Sequence, residues 1–253
     1  PYRFEDARIY WTNVPRAQGS NPFNTGSLAQ IPDADLVAEF LREVEVGRKK
    51  EERRVGYDRA GDSLAGIANP RVMDYGSGIG FYGYEVLYRH PEAHVTFVDI
   101  NPENLATIRR ILKILGLEDR AEFVPVLDEA AAGLELDRQY DLIMSMGVLH
   151  HTPHAARIVR RLTQFLKAGG VFLVMLYNRR YLFAMQCVAG RRLNESTFGA
   201  MTDPRVGERS NPYSEAYDDE KACELFAGYD LLTADYPVKF YNIYRFRKPL
   251  SSA

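Results

Sequence analysis

A doubly wound α/β fold with a mostly parallel seven-stranded sheet is predicted for this 253-residue chain by three observations. From Arg71 to about Leu176, short apolar runs alternate with segments of helical periodicity, the texture of right-handed βαβ units. Between the first such run and the helix after it, in VMDYGSGIG, stand Gly76, Gly78 and Gly80. The next run, HVTFVD, ends on Asp99. Glycines at a strand-to-helix turn remove Cβ atoms that would keep backbone N–H groups from a ligand. An acid closing the second strand can accept hydrogen bonds from two ribose hydroxyls. Together these features describe a sheet built around a nucleoside.

The elements follow in order. Residues 12–32 are rich in Asn, Gly, Pro and Ser and read as a loop or an induced-fit segment. Asp33 follows Pro32 as a candidate helix N-cap, and Leu36, Val37, Phe40, Leu41 and Val44 recur at helical spacing as a core face. Residues 1–46 thus form an N-terminal helical arm and cap helix, ahead of a domain over 47–247. The run from Arg48 to Arg54 alternates in sign and reads as a solvated helix face. Val72–Tyr75, Val95–Asp99, Ala121–Val126, Tyr140–Met146 and Val171–Leu176 read as strands. Residues 80–90, 102–115 and 154–167 read as helices, the second opening Asn101-Pro102-Glu103, an N-cap with proline in the first turn. Leu166–Gly170 reads as a turn, with Lys167 in solvent. The alternation is interrupted at 177–228 by an insertion with an apolar helical piece, 181–189, and a polar stretch. A helix at about 218–228 and strands at 230–236 and 238–247 finish the domain.

Composition narrows the function. The net charge is −2 and no block of Lys or Arg stands alone, so no nucleic-acid partner is expected, because neutralising phosphates needs clustered cations. Cys187 and Cys223 lie far apart without metal-ligand neighbours and suit a reducing cytosol. No apolar stretch reaches transmembrane length, and the charged start is not a secretory signal. A cytoplasmic protein with no membrane partner is the expectation. An N-terminal arm rich in Asn, Pro and aromatics has the reach to cross a homodimer, and the oligomeric state stays open.

The glycine turn alone is shared by dinucleotide and nucleoside binders. Here Phe81 stands where a dinucleotide site needs its third glycine. Asp74, two residues ahead of Gly76, would oppose a pyrophosphate but suit an ammonium. Downstream, Asp141–His151 and Leu166–Gly170 complete four ordered motifs. On these residues the chain resembles the class I S-adenosylmethionine-dependent methyltransferases, in their small-molecule branch, over roughly residues 30–247. The resemblance implies a Rossmann-like fold and S-adenosyl-L-methionine as cofactor. It implies that Gly76, Ser77, Gly78, Gly80 and nearby backbone cradle the methionine and ribose portion, with Met146 also at the cofactor. It places Asp74 near the cofactor's amino group, directly or through water, Asp99 on the ribose hydroxyls and Ile100 against adenine. Asp128 is the nearest candidate for the acid that touches the adenine amine, and Leu127 is the alternative, apolar contact.

Methyl transfer from a sulfonium is an in-line displacement, and a neutral nucleophile also needs a proton acceptor. His150 and His151, just past the fourth strand, are the candidates, either as base or as loop packing. The Asn-Pro-Pro-Tyr type of motif that holds an amine is replaced by Ser145-Met146-Gly147-Val148. No further Asp follows Asp141 until Asp203, so no metal is expected. The insertion and the N-terminal arm are expected to build the substrate chamber, with Tyr177, Arg179, Tyr181, Tyr213 and Tyr217 as substrate-binding candidates. Tyr10 and Trp11 close over the cofactor or pack the arm. The reading is therefore a metal-independent methyltransferase acting on a small-molecule O, N or C nucleophile. A second reading keeps the fold and cofactor without methyl transfer, as a cyclase or non-catalytic partner. A third, a nicotinamide-dependent oxidoreductase, is opposed by Phe81 and by the lack of a Tyr-x-x-x-Lys pair.

Overall fold

The centre of the sheet is the most apolar part of the chain. Val72, Met73, Phe97, Leu142, Ile143, Met144, Phe172, Leu173 and Val174 have no measurable exposure. Strands covered on both faces lose the alternation of polar and apolar residues, which is why these runs are continuous. The computed structural model describes residues 2–13, 30–190 and 211–250. Strands β1 (Arg71–Tyr75), β2 (His94–Asp99), β3 (Ala121–Pro125), β4 (Tyr140–Met146) and β5 (Leu166–Asn178) run parallel. Strands β7 (Asp230–Val238) and β8 (Tyr241–Arg247) form a hairpin whose second strand, β8, pairs antiparallel to β5. The order is β3-β2-β1-β4-β5-β8-β7, and the two-residue β6 (Ala216–Tyr217) pairs beside the end of β5. That short strand is the eighth, where seven were expected.

Helices cover both faces. On one lie α2 (Asp33–Lys49), α3 (Glu51–Leu64), α4 (Phe81–Arg89) and α5 (Pro102–Ile114), packed on Val72, Leu142 and Leu173. On the other lie α6 (Ala155–Thr163) and α8 (Asp219–Leu225), packed on Met73, Ile143 and Phe172. Helices α1 (Phe4–Asn13) and α7 (Arg179–Ala189) sit at the margins. The strand order reverses between β1 and β4, and in such sheets a crevice opens at the carboxyl ends of the strands there.

Local rules account for most boundaries. Asn101 caps α5 by accepting from the Glu103 N–H at 2.9 Å, with Pro102 in the first turn. Asn178 caps α7 by accepting from the Arg180 N–H at 2.9 Å. Several expectations are corrected. Pro32, not Asp33, is the N-cap of α2, and Asp33 instead accepts from Arg110 at 2.6 Å. Helix α6 ends at Thr163 rather than near 167, because Phe165 accepts the Tyr140 N–H at 2.8 Å and starts the strand. Leu166–Gly170 therefore belongs to β5, with a register shift opposite Tyr140 and Leu142 and a positive φ of 75° at Gly169. Lys167, expected in solvent, donates to Asp141 at 2.7 Å. Residues 14–29 of the expected loop and 191–210 of the insertion lie outside the described residues.

The charged run 48–54 is not one solvated face. It is broken at Lys50, which is extended between α2 and α3. Arg48 reaches across to Glu85 at 2.9 Å, and Arg89 donates to the same carboxylate at 2.6 Å. Glu85 is 2% exposed, so two cations hold its charge in place. Because both arginines keep partial access to water, Glu85→Gln should cost about 1–3 kcal/mol. Urea unfolding checks this: the midpoint should fall with the m-value unchanged.

Candidate active site

A cavity of about 990 Å³ opens over the carboxyl ends of the central strands. Its floor is the turn from Tyr75 to Ile79, with Asp99 and Ile100 after β2 and Met146 to Val148 after β4. The turn explains its own glycines. Gly76 and Ser77 N–H groups both donate to Val98 O, at 2.7 and 3.1 Å. Gly78 N–H donates to Asp99 Oδ2 at 2.7 Å and Gly80 N–H to Ser77 O at 2.8 Å. These donors are consumed by the protein, so the expectation that the glycines free N–H groups for a ligand is corrected. Gly76 is needed for its φ of 74° and because a Cβ there would stand 2.3 Å from Val148 Cγ2. A turn that keeps its N–H groups for itself is a poor seat for a pyrophosphate and an acceptable one for a cation.

Asp99 is held by its surroundings: Oδ1 accepts from Asn101 N–H at 2.8 Å and Asn104 Nδ2 at 3.1 Å. Asp74 is 2% exposed and accepts from Gly83 N–H at 3.0 Å, but does not line the cavity. Burial pushes its carboxyl up to about 7, the Gly83 N–H opposing and the charge of Asp99 adding. Ser77 lines the cavity, and its buried Oγ has no hydrogen-bond partner among the described residues.

A family model described as a methyltransferase domain matches residues 73–172. The ubiquinone biosynthesis O-methyltransferase of Marinobacter nauticus is 30% identical over 130 residues, 49% of this chain and 52% of that protein. Its namesake in Psychrobacter cryohalolentis is 32% identical over 123 residues, 47% of each chain. The chain thus spans about half the length of these curated relatives. The crystal structure of magnesium protoporphyrin IX methyltransferase from Synechocystis PCC 6803, with bound SAH, shares the fold at a TM-score of 0.57. That match covers 82% of this chain and 86% of the other at 14% identity. Residues 73–172 thus match a methyltransferase domain, and the chain has the fold of S-adenosylmethionine-dependent methyltransferases.

The residues present fit S-adenosylmethionine, the cofactor such a domain implies. Asp99 faces the cavity at the end of β2, Ile100 and Val126 give apolar walls beside it, and Ser77 belongs to the same floor. Met146 lines the opposite side, under α3. Gly78 is in the floor, while Gly80 caps α4 against Ile108 and Phe97. Asp128 borders the cavity, but its carboxylate is taken up by the N–H groups of Ala130, Ala132 and Gly133, which hold it below the usual range against the opposing effect of burial. Leu127 is 80% exposed and outside the lining, where Val126 stands instead.

The two histidines separate. His151 lines the cavity, with its ring 4.5 Å from that of Trp11 and Nδ1 2.7 Å from Asn211 Nδ2. His150 is fully buried behind it, between His151 and Tyr177 at 4.1 and 3.9 Å. Burial, with His151 nearby, keeps its ring well below the usual histidine range, only the Met175 backbone opposing. His150 is therefore a core residue, correcting its candidacy as a base.

None of the five expected substrate residues lines the cavity. Tyr177 is 1% exposed and stacked on Tyr241; Tyr217 is buried with its hydroxyl on Glu215 at 2.7 Å. Pairing of β6 with β5 turns this part of the insertion into the sheet. Arg179 pairs with Asp218 at 3.1 Å, Tyr181 packs on Phe240, and Tyr213 sits edge-on to Tyr2. Their place is taken by Tyr2, Phe4 and Trp11 of the amino-terminal segment and by Val238 to Tyr241 at the β7–β8 turn. Tyr10 is buried and packs edge-on to Trp11. Sequence reasoning missed Lys50, Arg53 and Tyr82, which also line the cavity. The available signal was glycine inside helices: Gly47 and Gly56 sit where close approach alone repays their cost.

Gly76→Ala should destabilise the protein by about 2–5 kcal/mol, combining a left-handed backbone with a side-chain overlap. Adding Val148→Ala should recover the overlap part but not the backbone part. Thermal denaturation of the single and double variants separates the two.

Proposed function

We propose that this protein is an S-adenosylmethionine-dependent methyltransferase that acts on a small molecule without a metal, at oxygen. The observation that carries the reading is one cavity in which the glycine turn after β1 meets Asp99 at the end of β2. Its volume is at the upper end of the roughly 300–1,000 Å³ usual for ligand sites, so a cofactor leaves space for a second molecule. The O-methyltransferase relatives support oxygen as the acceptor. Among the described residues, no group of three His, Cys, Asp or Glu side chains is placed to hold a metal ion, and no helix is long and apolar enough to cross a membrane.

When bound, the cofactor supplies a methyl group on a sulfonium. The chain's own work is to position and to exclude water. Asp99, fixed by three N–H donors, would hold the ribose, Ile100 and Val126 would flank the base, and Trp11 and Phe4 line the same cavity. Holding reactants in line is worth about 7–11 kcal/mol of barrier. His151 is positioned by Asn211. Asn211 Oδ1 accepts from Tyr213 N–H at 3.2 Å, which turns its amide nitrogen toward His151 Nδ1 at 2.7 Å. Tyr213 O, 3.4 Å from the same Nδ1, adds a second contact, so Asn211 and Tyr213 together fix the orientation of the ring.

Incubation with cofactor labelled on its methyl group and a panel of phenols and carboxylic acids tests the reaction. Labelled product is expected; tight binding of S-adenosylhomocysteine without product would favour the binding-only reading, and binding of NAD alone would overturn both. Asp99→Asn should weaken S-adenosylhomocysteine at least tenfold by calorimetry.

Asp74 gives a pH dependence. Its carboxyl ionises near 7 in the ligand-free fold against 3.8 ordinarily, so its protonated form stabilises the fold and that contribution is lost as pH rises from about 4 through 7. Asp74→Asn should therefore stabilise the ligand-free protein at pH 8 and leave it unchanged at pH 4. A cationic tail favours the ionised carboxylate, so affinity for S-adenosylhomocysteine should strengthen between pH 5.5 and 8. In Asp74→Asn that rise should flatten.

A further inference from the structure

Helix α7 is apolar on both of its sides. On the inner side Tyr181, Leu182 and Met185 pack on Tyr177, Ala216 and Tyr241. On the outer side Phe183, Ala184, Cys187 and Val188 are exposed, at spacings that put all four on one face. Phe183 is 67% exposed and Val188 83%. A surface helix ordinarily turns charged residues outward. From Tyr181 to Gly190 this one has no charged residue of either sign.

The charge is gathered at the ends. In sequence, Arg179-Arg180 precedes the apolar stretch and Arg191-Arg192 follows it, and residues 179–192 contain no Asp or Glu. Arg179 and Arg180 meet Asp218 and Asp219 at 3.1 and 3.9 Å, and the Arg180 side chain stays largely in solvent. Its guanidinium lies 5.7 Å from the ring of Tyr236, itself exposed on β7. Tyr181 packs on Phe240 with ring centroids 4.3 Å apart. Phe240 is exposed on one side and lines the cavity on the other, next to Lys239. The outer surface of α7 therefore adjoins the rim of the cavity.

An uncharged apolar helix face with cations at its ends is the pattern of a helix lying in the plane of a bilayer interface. Phenyl and isopropyl groups enter the acyl boundary there, while arginines reach up to anionic headgroups. A second copy of the chain fits this face less well. Pairing two stretches that hold four arginines and no acid would set like charges against each other. The expectation of no membrane partner rested on the lack of a spanning stretch, and a helix that lies flat needs none.

We infer that α7, with Phe240 beside it, docks on an anionic bilayer surface and sets the rim of the cavity against the lipid. The inference goes beyond the proposed reaction and does not depend on it. Docked in this way, the cavity is open to a guest dissolved in the bilayer, which reaches it past Phe240.

Flotation of the full chain with vesicles of phosphatidylcholine, alone or with one third phosphatidylglycerol, tests the contact. The protein should float with the anionic vesicles, at least fivefold less with the neutral ones, and less again as salt is raised. Phe183→Ser combined with Val188→Ser should lower the bound fraction at least tenfold and leave the thermal midpoint unchanged, since both side chains are at the surface. Arg180→Gln should weaken binding by a smaller factor, and only on the anionic vesicles. Nitrobenzoxadiazole attached to Cys187, in a Cys223→Ser background, should brighten on anionic vesicles if α7 is the element that enters them. Absence of flotation with anionic vesicles, flotation that the double variant retains, or a label on Cys187 that stays dim overturns the inference. A wild type that ignores vesicles but forms a dimer broken by the double variant would give this face to a second copy and overturn the bilayer.

Discussion

The hydrogen bond from the Gly78 N–H to Asp99 ties the first strand's turn to the end of the second, and the site's geometry depends on it. Val98 O, accepting from Gly76 and Ser77, adds two more ties across the same gap. The turn is thereby fixed before any ligand arrives, and Asp99 is fixed with it. Preorganisation of this kind spares a binding event the cost of ordering the backbone. It also sets the sign of what the turn can hold. With those N–H groups committed to Val98 O, Asp99 and Ser77 O, the floor of the cavity carries an acid and offers no nest for an anion.

The walls come from remote parts of the chain. The amino-terminal helix brings Trp11 to His151, the break at Lys50 brings the next helix over the turn, and the last hairpin brings Phe240 and Tyr241. Buried Glu85 links the helix that precedes the break to the helix that follows the turn, through Arg48 and Arg89. Packing on the outer layer and geometry at the cavity are therefore one problem. A shift of the second helix would move Gly47 against Arg53, and with it the guanidinium.

Much of this was legible in residue order. The continuous apolar runs marked the central strands, and Asn101-Pro102 marked a helix start, because both signals are local. Asp99 and the glycines were legible for the same reason: strand, turn and acid are set by short-range stereochemistry. The cavity's walls were not. Tyr177 and Tyr217 carry the same side chain as Tyr2 and Tyr82, and only the pairing of a two-residue strand decides which go to the core. Arg53 was hidden in a run of alternating charge, where its neighbour Arg54 pairs with Glu51 and Asp58 while Arg53 turns to the cavity. His150 and His151 are neighbours in sequence yet differ in access, since a tight 3₁₀ turn (Leu149–His151) sends one ring inward.

Trp11 is the single tryptophan of the chain. Its indole lies against the imidazole of His151 in the lining of the cavity. Emission excited selectively at the indole, beyond tyrosine absorption, therefore comes from one fluorophore stationed at the site itself. Changes in its intensity or wavelength would register guests entering and leaving, with no dye attached and no averaging over distant reporters.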